Sequence, residues 1–171
     1  MKTTLLIAAS AIVTGCASAS MYRGPMAEAT LAPTNGNTAS GMVTFAGSGD
    51  KVQVSARVSG LTPGGHGFHI HEKGDCSAPD ATSAGGHFNP GGQPHGHPHQ
   101  GPHHAGDMPM LVADGYGNAT LTAELASVSL GEGANGIIGK AVVVHAAPDD
   151  FKTQPTGNSG ARVACGVITR R

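Results

Sequence analysis

The chain has 171 residues, enough for one domain, and only 12% of them are charged, about half the usual share. Ten basic and eleven acidic residues give a formal net charge of −1, which argues against a nucleic-acid-binding protein and against a polybasic membrane-surface protein. The 27 glycines, and the lack of a helical repeat of Ala, Glu, Lys, Leu and Arg, exclude a long-helix or coiled-coil protein.

Residues 1–15 have the form of a secretory signal, with an apolar run from Leu5 to Val13 that is too short to span a bilayer. Two cleavage sites compete. The run Val13–Cys16 is similar to the lipobox of bacterial lipoproteins, which predicts cleavage before Cys16 and lipidation of that cysteine. Ordinary cleavage after Ala17–Ala19 would instead remove Cys16 with the signal.

Three cysteines in an exported chain leave one odd thiol. If Cys16 is lipidated or removed, Cys76 and Cys165 remain, and export favours a disulfide between them. This disulfide would close a loop of about 90 residues and stabilise the fold by roughly 4–5 kcal/mol. We therefore expect an exported protein of the periplasm or cell envelope, lipid-anchored through Cys16, with residues 16–25 as a tether and residues 26–171 as the domain.

Several segments of the domain have the residue pattern of β-strands, and Lys51–Val58 is the clearest because apolar and polar residues alternate along it. The other predicted strands are Met26–Ala32, Gly41–Ala46, Asn118–Glu124, Ile137–His145 and Val163–Thr169. Short strands between clusters of Gly, Pro, Asn and Asp predict an all-β sandwich or barrel with little helix. Two long stretches, about 73–116 and 146–162, are predicted to be functional loops.

The ten histidines are concentrated in one part of the chain: nine lie between residues 66 and 104, and the tenth is His145. His69 and His71 share one face if they lie on a strand, so both can bind one metal ion. An exposed histidine pair without a ligand has the same pattern. His145 stands alone at the end of an apolar strand, which is equally typical of a structural or solvated histidine.

A further group of histidines runs from His87 to the neighbourhood of Asp107. Its other members are His95, His97, His99, His103 and His104. Histidines combined with one carboxylate suit Zn²⁺ in tetrahedral geometry. The alternative is a low-complexity tract that binds metal loosely, and the residue pattern does not select between the two or identify the ligands.

Five motifs, in this order, resemble those of the copper–zinc superoxide dismutases, and the resemblance covers residues 41–168. They are Gly67–Glu72, Ser83–Pro90, His104–Asp107, Ile137–His145 and Gly157–Ile168. Cys76 lies five residues after His71, as in the exported bacterial members. The resemblance implies a Greek-key β-sandwich or flattened barrel of immunoglobulin-like architecture. It also implies an enzyme that dismutates superoxide with one copper and one zinc ion per chain.

The resemblance also implies the metal ligands. The implied copper ligands are His69, His71, His87 and His145. The implied zinc ligands are His87, His95, His104 and Asp107, at steps of 8, 17 and 20 residues from His87 that match the family's zinc spacing. His87 would therefore bridge both metals. His97, His99 and His103 lie in the same loop and are the alternatives to His95.

Two further roles come from the resemblance. Asp149 would orient His69 and His95 from behind the metals. Arg162 would dock the superoxide anion beside the copper. The alternative role for Arg162 is an ordinary surface salt bridge. Lys152 and Arg162 are the only cations between Asp149 and the last predicted strand, so wider electrostatic steering is expected to be modest.

In the implied mechanism, superoxide reduces Cu(II) to Cu(I) and leaves as oxygen, while His87 leaves the copper and takes a proton. A second superoxide then reoxidises the copper and receives protons from His87 and water.

Two other functions compete: an exported protein that buffers copper or zinc without catalysis, and a copper-delivery protein, for which the chain has no spare cysteine. The expected partners are superoxide as substrate, no nucleic acid, and the membrane only through a lipid on Cys16. The expected state is a monomer or a homodimer.

Overall fold

A computed structural model describes residues 26–171, so the predicted signal, the tether and the predicted lipidation site Cys16 lie outside the described residues. The described residues form ten β-strands and one 3₁₀ turn, Thr82–Ala84, which confirms the predicted all-β class. No helix in residues 26–171 is long and apolar enough to cross a membrane. The strands are β1 (Met26–Pro33), β2 (Ser40–Ser48), β3 (Lys51–Ser59), β4 (Gly64–His66), β5 (Phe68–His71), β6 (Leu111–Ala113), β7 (Ala119–Leu125), β8 (Ala141–His145), β9 (Arg162–Val167) and β10 (Thr169–Arg170).

Most of these strands belong to one curled antiparallel sheet. Its order is β5-β8-β9-β1-β2-β3-β7, and β10 also pairs with β1. Strand β1 joins the two halves of the sheet, because Met26–Leu31 pair with β2 whereas Ala32 and Pro33 pair with β9. Strands β4 and β6 form a separate two-stranded ribbon.

The main apolar core lies between the two halves of the curled sheet. Along β3, buried and exposed residues alternate as predicted, and the buried side chains pack with Phe45 of β2 and Phe68 of β5. All five residues of β8 are buried, because Ala81 and Ala84 of the long loop cover its outer face. The strand that ends at His145 is therefore fixed from both sides.

The predicted strand Ile137–His145 is too long. Ile137–Lys140 forms a turn closed by a hydrogen bond from the backbone N–H of Lys140 to the carbonyl of Ile137 (3.1 Å). Gly139 has φ +78°, a left-handed conformation that interrupts a strand. Ile137 is nevertheless fully buried, so its apolar character reflects core packing from a turn and not strand pairing. Strand β9 also differs, since it ends at Val167 and not at the predicted Thr169.

The two long loops are present with altered limits. The first runs from β5 to β6 and is shorter than predicted, because β6 occupies Leu111–Ala113 inside the predicted range 73–116. The second joins β8 to β9. A disulfide between Cys76 and Cys165, with Cα atoms 5.8 Å apart, ties the first loop to β9, as predicted.

Candidate metal centre

Strand β5 separates an apolar face from a histidine face. Phe68 and Ile70 are buried in the core, and His69 and His71 alternate with them on the opposite face, as the period of two predicts. Both imidazoles are fully buried. They are therefore not an exposed histidine pair.

His145 and His87 approach β5 from its two edges. Strand β8 pairs with β5, and the backbone N–H of His145 donates to the carbonyl of Gly67 (2.8 Å). On the other edge, His87 forms a β-bridge with His71, and its ring stacks on that of His69 with centroids 3.9 Å apart. One ring nitrogen from each of these histidines lies within 4.8 Å of the others. This four-histidine cluster comprises His69, His71, His87 and His145.

Backbone carbonyls fix the tautomers of two of these rings. His71 donates its Nδ1–H to the carbonyl of Gly85 (2.9 Å), and His145 donates its Nδ1–H to the carbonyl of Gly160 (3.2 Å). A carbonyl can only accept, so in the neutral rings both Nε2 atoms carry lone pairs. These two Nε2 atoms lie 3.4 Å apart, so two nitrogens that can each bind a metal ion are close together.

Asp107 lies at the centre of a second group. Its Oδ1 is 3.0 Å from Nδ1 of His87, 3.0 Å from Nδ1 of His95 and 3.4 Å from Nδ1 of His104. Its Oδ2 accepts the backbone N–H groups of Gly96 and His104. Three imidazole nitrogens around one carboxylate oxygen form a donor set that suits Zn²⁺. This aspartate cluster comprises His87, His95, His104 and Asp107.

Asp149 links the two clusters from behind. Its Oδ2 accepts the Nε2–H of His69 (2.7 Å), and its Oδ1 accepts the Nε2–H of His95 (2.9 Å). Each ring is thereby held with its Nδ1 lone pair turned toward its cluster. Burial opposes ionisation of Asp149, but the hydrogen bonds from His69 and His95 outweigh it and hold the pKa of this carboxyl below its usual range.

Two buried nitrogens have no hydrogen-bond partner in residues 26–171: Nδ1 of His69 and Nε2 of His87. Leaving a buried polar atom unpaired costs about 1–3 kcal/mol, so such atoms need an explanation. Both belong to the four-histidine cluster. A metal ion bound there would occupy both lone pairs, so the residues present fit a metal at this position.

Burial keeps the four-histidine cluster neutral. It lowers the pKa of His87 to about 4 and that of His145 to about 3, with the neighbouring His69 ring lowering both further. Burial likewise lowers the pKa of His71 and His69. Neutral imidazoles are the form that binds metals.

The pKa of His95 is shifted in the opposite direction to the pKa values of the four-histidine cluster. Burial lowers its pKa, but hydrogen bonds to Asp107 and Asp149 outweigh that effect and raise the pKa to about 9. The two carboxylates thus create a position that favours positive charge.

Arg162 begins β9 and lies beside the four-histidine cluster. Its two Nη atoms donate to the carbonyls of Ala81 and Gly85, at 2.6 Å each. Its charge contributes to the lowered pKa of His71 and of His145. The residue forms no ion pair with a carboxylate within the described chain, which removes the alternative of a surface salt bridge.

Three histidines of the tract stay outside both clusters: His97, His99 and His103. His66 is buried with its ring nitrogens on the carbonyls of His145 (2.7 Å) and Thr62 (2.8 Å), which is a structural position. The structure therefore brings together all seven ligand residues implied by the resemblance, with His87 in both clusters, and it places His95, not its neighbours, against Asp107.

Sequence reasoning missed Gln154. Its side-chain amide makes two hydrogen bonds to the backbone of His95: Oε1 accepts the N–H (2.8 Å), and Nε2 donates to the carbonyl (2.8 Å). This amide clamp joins the two long loops behind the aspartate cluster. A contact between a glutamine and a backbone 59 residues away has no signature in residue type or spacing.

Two buried imidazole clusters that share one histidine, on an all-β scaffold, define a two-metal centre. The family model described as Copper/zinc superoxide dismutase (SODC) matches residues 39–168, and the chain belongs to that family. The chain is 39% identical over 156 residues to Superoxide dismutase (Cu-Zn) 2 of Aquifex aeolicus, covering 88% of this chain and 91% of that protein.

Two other comparisons agree with the family assignment. Identity is 42% over 134 residues to Superoxide dismutase (Cu-Zn) of Caulobacter vibrioides, covering 75% of this chain and 77% of that protein. A crystal structure of the clock protein EA4 superposes with a TM-score of 0.77 at 41% identity, covering 85% of this chain and 94% of that one.

Proposed function

We propose that this chain catalyses the dismutation of superoxide, in which two superoxide anions and two protons give dioxygen and hydrogen peroxide. The observation that carries the proposal is the sharing of His87. Its Nε2 faces the four-histidine cluster without a partner, and its Nδ1 faces the aspartate cluster. A protein that only stores metal has no need to place one imidazole between two ions.

The chain binds one copper and one zinc ion. We assign copper to the four-histidine cluster, because four imidazole nitrogens suit that metal, and zinc to the aspartate cluster. When bound, copper supplies one-electron chemistry by alternating between Cu(II) and Cu(I), while zinc has no redox role and holds the shared imidazole. Asp149 keeps His69 and His95 in the tautomers that both sites require.

Arg162 is the residue that receives the substrate. Its guanidinium is planar and always charged, and two backbone carbonyls fix its orientation beside His71. The N–H groups not used by those carbonyls can donate to a small anion. His87 supplies the proton step: its Nε2 takes up a proton when it is not bonded to metal, and hands it to the reduced dioxygen.

The chain is exported, and we assign it to the periplasm or cell envelope. The relative from Caulobacter vibrioides supports a bacterial protein, and the disulfide between Cys76 and Cys165 supports an oxidising compartment. Anchoring through a lipid on Cys16 is the finer proposal, supported by the lipobox-like run Val13–Cys16. The mass of the mature N-terminal peptide tests it. Sedimentation of the mature chain distinguishes a monomer from a homodimer.

The test of the catalytic proposal is His87→Ala, measured for bound copper, bound zinc and superoxide dismutation in one preparation. We expect the wild type to hold one ion of each metal and to be active. His87→Ala should lose dismutation and bind both metals more weakly, because it removes one ligand from each cluster. The control is His97→Ala, a histidine of the same loop outside both clusters, which should keep activity.

Metal bound at higher stoichiometry with negligible dismutation would overturn the proposal and favour an exported metal-buffering protein. Equal activity in His87→Ala and His97→Ala would also overturn it, since the shared imidazole would then have no role.

A further inference from the structure

Two histidines that the metal centre does not use line a separate surface cavity. The cavity has a volume of about 190 Å³, and its walls include His99, His103, Glu124, Ser127 and Lys51. None of these residues belongs to the four-histidine cluster or the aspartate cluster. His103 is adjacent in sequence to His104, yet His104 contacts Asp107 while His103 lines this cavity.

The His103 ring is oriented as a metal ligand would be. Its Nδ1–H donates to the carbonyl of Gly101 (3.0 Å), so in the neutral ring the lone pair is on Nε2. Nε2 has one weak contact, 3.5 Å to Oγ of Ser127. His71 and His145 are held in the same way, with Nδ1–H on a backbone carbonyl and Nε2 available to a metal.

Glu124 supplies a carboxylate from the rigid strand β7. Its only ion pair in the described chain is with Lys51, at 3.1 Å, and both side chains are about half exposed (50% and 45%). Exposed ion pairs of this kind contribute about 0–1 kcal/mol to stability, so a bound cation can displace Lys51 from Glu124 at little cost in free energy. The charge of Lys51 repels a cation bound beside Glu124, so removing that charge should strengthen cation binding in the cavity.

His97 has a different role from His99. The His97 ring packs edge-on against Phe151, with centroids 4.7 Å apart, and its Nδ1 accepts the backbone N–H of His99 (3.2 Å). The turn closes with the N–H of Gln100 on the carbonyl of His97 (3.0 Å). His97 thereby holds the turn that presents His99, which is exposed at the rim of the cavity.

We propose that His99, His103 and Glu124 take a surface Zn²⁺ ion, separate from the two clusters. Their donor atoms line one cavity but do not all lie within 4.8 Å of one another in the described chain, so the exposed side chains of His99 and Glu124 close on the ion as it binds. Two imidazoles and one carboxylate, with water in the remaining position, suit this cation. The site is solvent-exposed, so its ion exchanges readily. His99 and His103 lie on the long loop that carries the aspartate cluster, and Glu124 lies on β7, so the site collects zinc beside the buried site.

The test is equilibrium dialysis of the holoprotein, already loaded with one copper and one zinc, against increasing Zn²⁺, with bound metal measured by elemental analysis. We expect one additional zinc per chain. The double variant His99→Gln/His103→Gln should weaken its binding at least about tenfold, equivalent to about 1.4 kcal/mol. Glu124→Gln should weaken it less, and Lys51→Met should strengthen it. The matched control is His97→Asn, which removes a tract histidine outside the cavity and keeps a side-chain acceptor for the backbone N–H of His99.

Unchanged copper, buried zinc and dismutation in all these variants would establish that each is folded. The proposal is overturned if no additional zinc binds, or if the double variant binds it as the wild type does. It is also overturned if His97→Asn, which keeps the turn, weakens binding as much as the double variant, because the tract would then bind metal loosely without a defined site.

Discussion

Arg162 and His71 share one acceptor: the carbonyl oxygen of Gly85 receives an Nη–H of Arg162 at 2.6 Å and the Nδ1–H of His71 at 2.9 Å. The residue proposed to dock the anion and a member of the four-histidine cluster are therefore positioned by the same atom. Ala81 provides the second carbonyl for Arg162, and the disulfide ties this loop to the strand that carries the arginine.

Substitutions of Arg162 should change activity according to how much of its charge and shape they keep. Arg162→Ala should lower kcat/KM for superoxide about tenfold, because the fixed positive charge beside His71 is lost. Arg162→Lys should be intermediate, since it keeps the charge and loses the planar fork that spans two carbonyls. Activity measured at several salt concentrations tests this, and the salt dependence should weaken in Arg162→Ala.

Lys152→Ala is the matched control for Arg162→Ala, because it removes an exposed cation from the loop that precedes Arg162. Its kcat/KM should stay close to that of the wild type. Equal losses in Lys152→Ala and Arg162→Ala would mean that net charge, and not docking, is what the enzyme uses.

Gly157 lies against the link between the clusters. A Cβ at this position would overlap the carboxylate of Asp149 and the ring of His95. Gly157→Ala should therefore displace both groups, costing about 1–3 kcal/mol for the overlap in addition to the left-handed backbone. Thermal unfolding and zinc retention of the metal-loaded protein measure this.

Gly36→Ala separates the cost of steric overlap at Gly157 from the cost of the left-handed backbone. Gly36 has φ +77°, comparable to +64° at Gly157, but a Cβ there meets nothing within 4 Å. It should show the backbone cost alone, about 1–2 kcal/mol, with zinc retention unchanged. Zinc loss of the same size in both variants would contradict the packing argument.

The amide clamp of Gln154 should control how long zinc stays bound. Gln154→Ala removes two hydrogen bonds from the His95 backbone, and Gln154→Glu replaces the donor with an oxygen that faces the His95 carbonyl. With net values of about 0.5–1.5 kcal/mol per hydrogen bond, we expect zinc release to a chelator to accelerate several-fold. Gln93→Ala removes a side chain whose amide donates to the carbonyl of Gly91 in its own loop, and it should release zinc at the wild-type rate. Equal release rates in Gln154→Ala and the wild type would refute the positioning role.

The metal-free protein should lose stability in acid. The pKa values of His87 (about 4) and His145 (about 3) lie below the value of about 6.5 in an unfolded chain, so the unfolded state takes up protons first. Their contribution is complete above pH 6.5 and falls as the pH drops, by of the order of 3 kcal/mol for His87 at pH 4. His95, with its pKa raised to about 9, contributes below pH 6.5 and loses that contribution as the pH rises through 9.

Thermal unfolding of the metal-free protein should therefore give its highest midpoint near neutral pH, with lower values at pH 5 and at pH 9.5. His145→Gln removes one group that titrates, so the drop between pH 7 and pH 5 should be smaller in that variant. A midpoint that stays constant between pH 7 and pH 5 would show that these rings are not buried in the neutral form.

The parts of the molecule that depend on local periodicity or on simple counting could be predicted from the sequence. The alternation in β3, the shared face of His69 and His71, and the pairing of Cys76 with Cys165 all belong here. The ligand set came from the resemblance to a family, because the residue pattern alone left a loose histidine tract open.

The contacts that orient the site could not be predicted. Gly85 and Gly160 act through backbone carbonyls, and Gln154 binds a backbone across two loops, so residue type gives no signal. The turn Ile137–Lys140 was wrongly predicted as strand because burial in a turn and burial in a strand produce the same apolar run.

The pairing of β5 with β8 has a consequence for the order of assembly. His71 and His145 are 74 residues apart, and their Nε2 atoms meet only through this non-local pairing. The nitrogens of the four-histidine cluster therefore do not come together until the sheet has formed, which is a slow event for long-range strand pairs. Discrimination among metal ions is consequently made by a chain that has already folded, from whatever ions are present in the compartment where folding finishes.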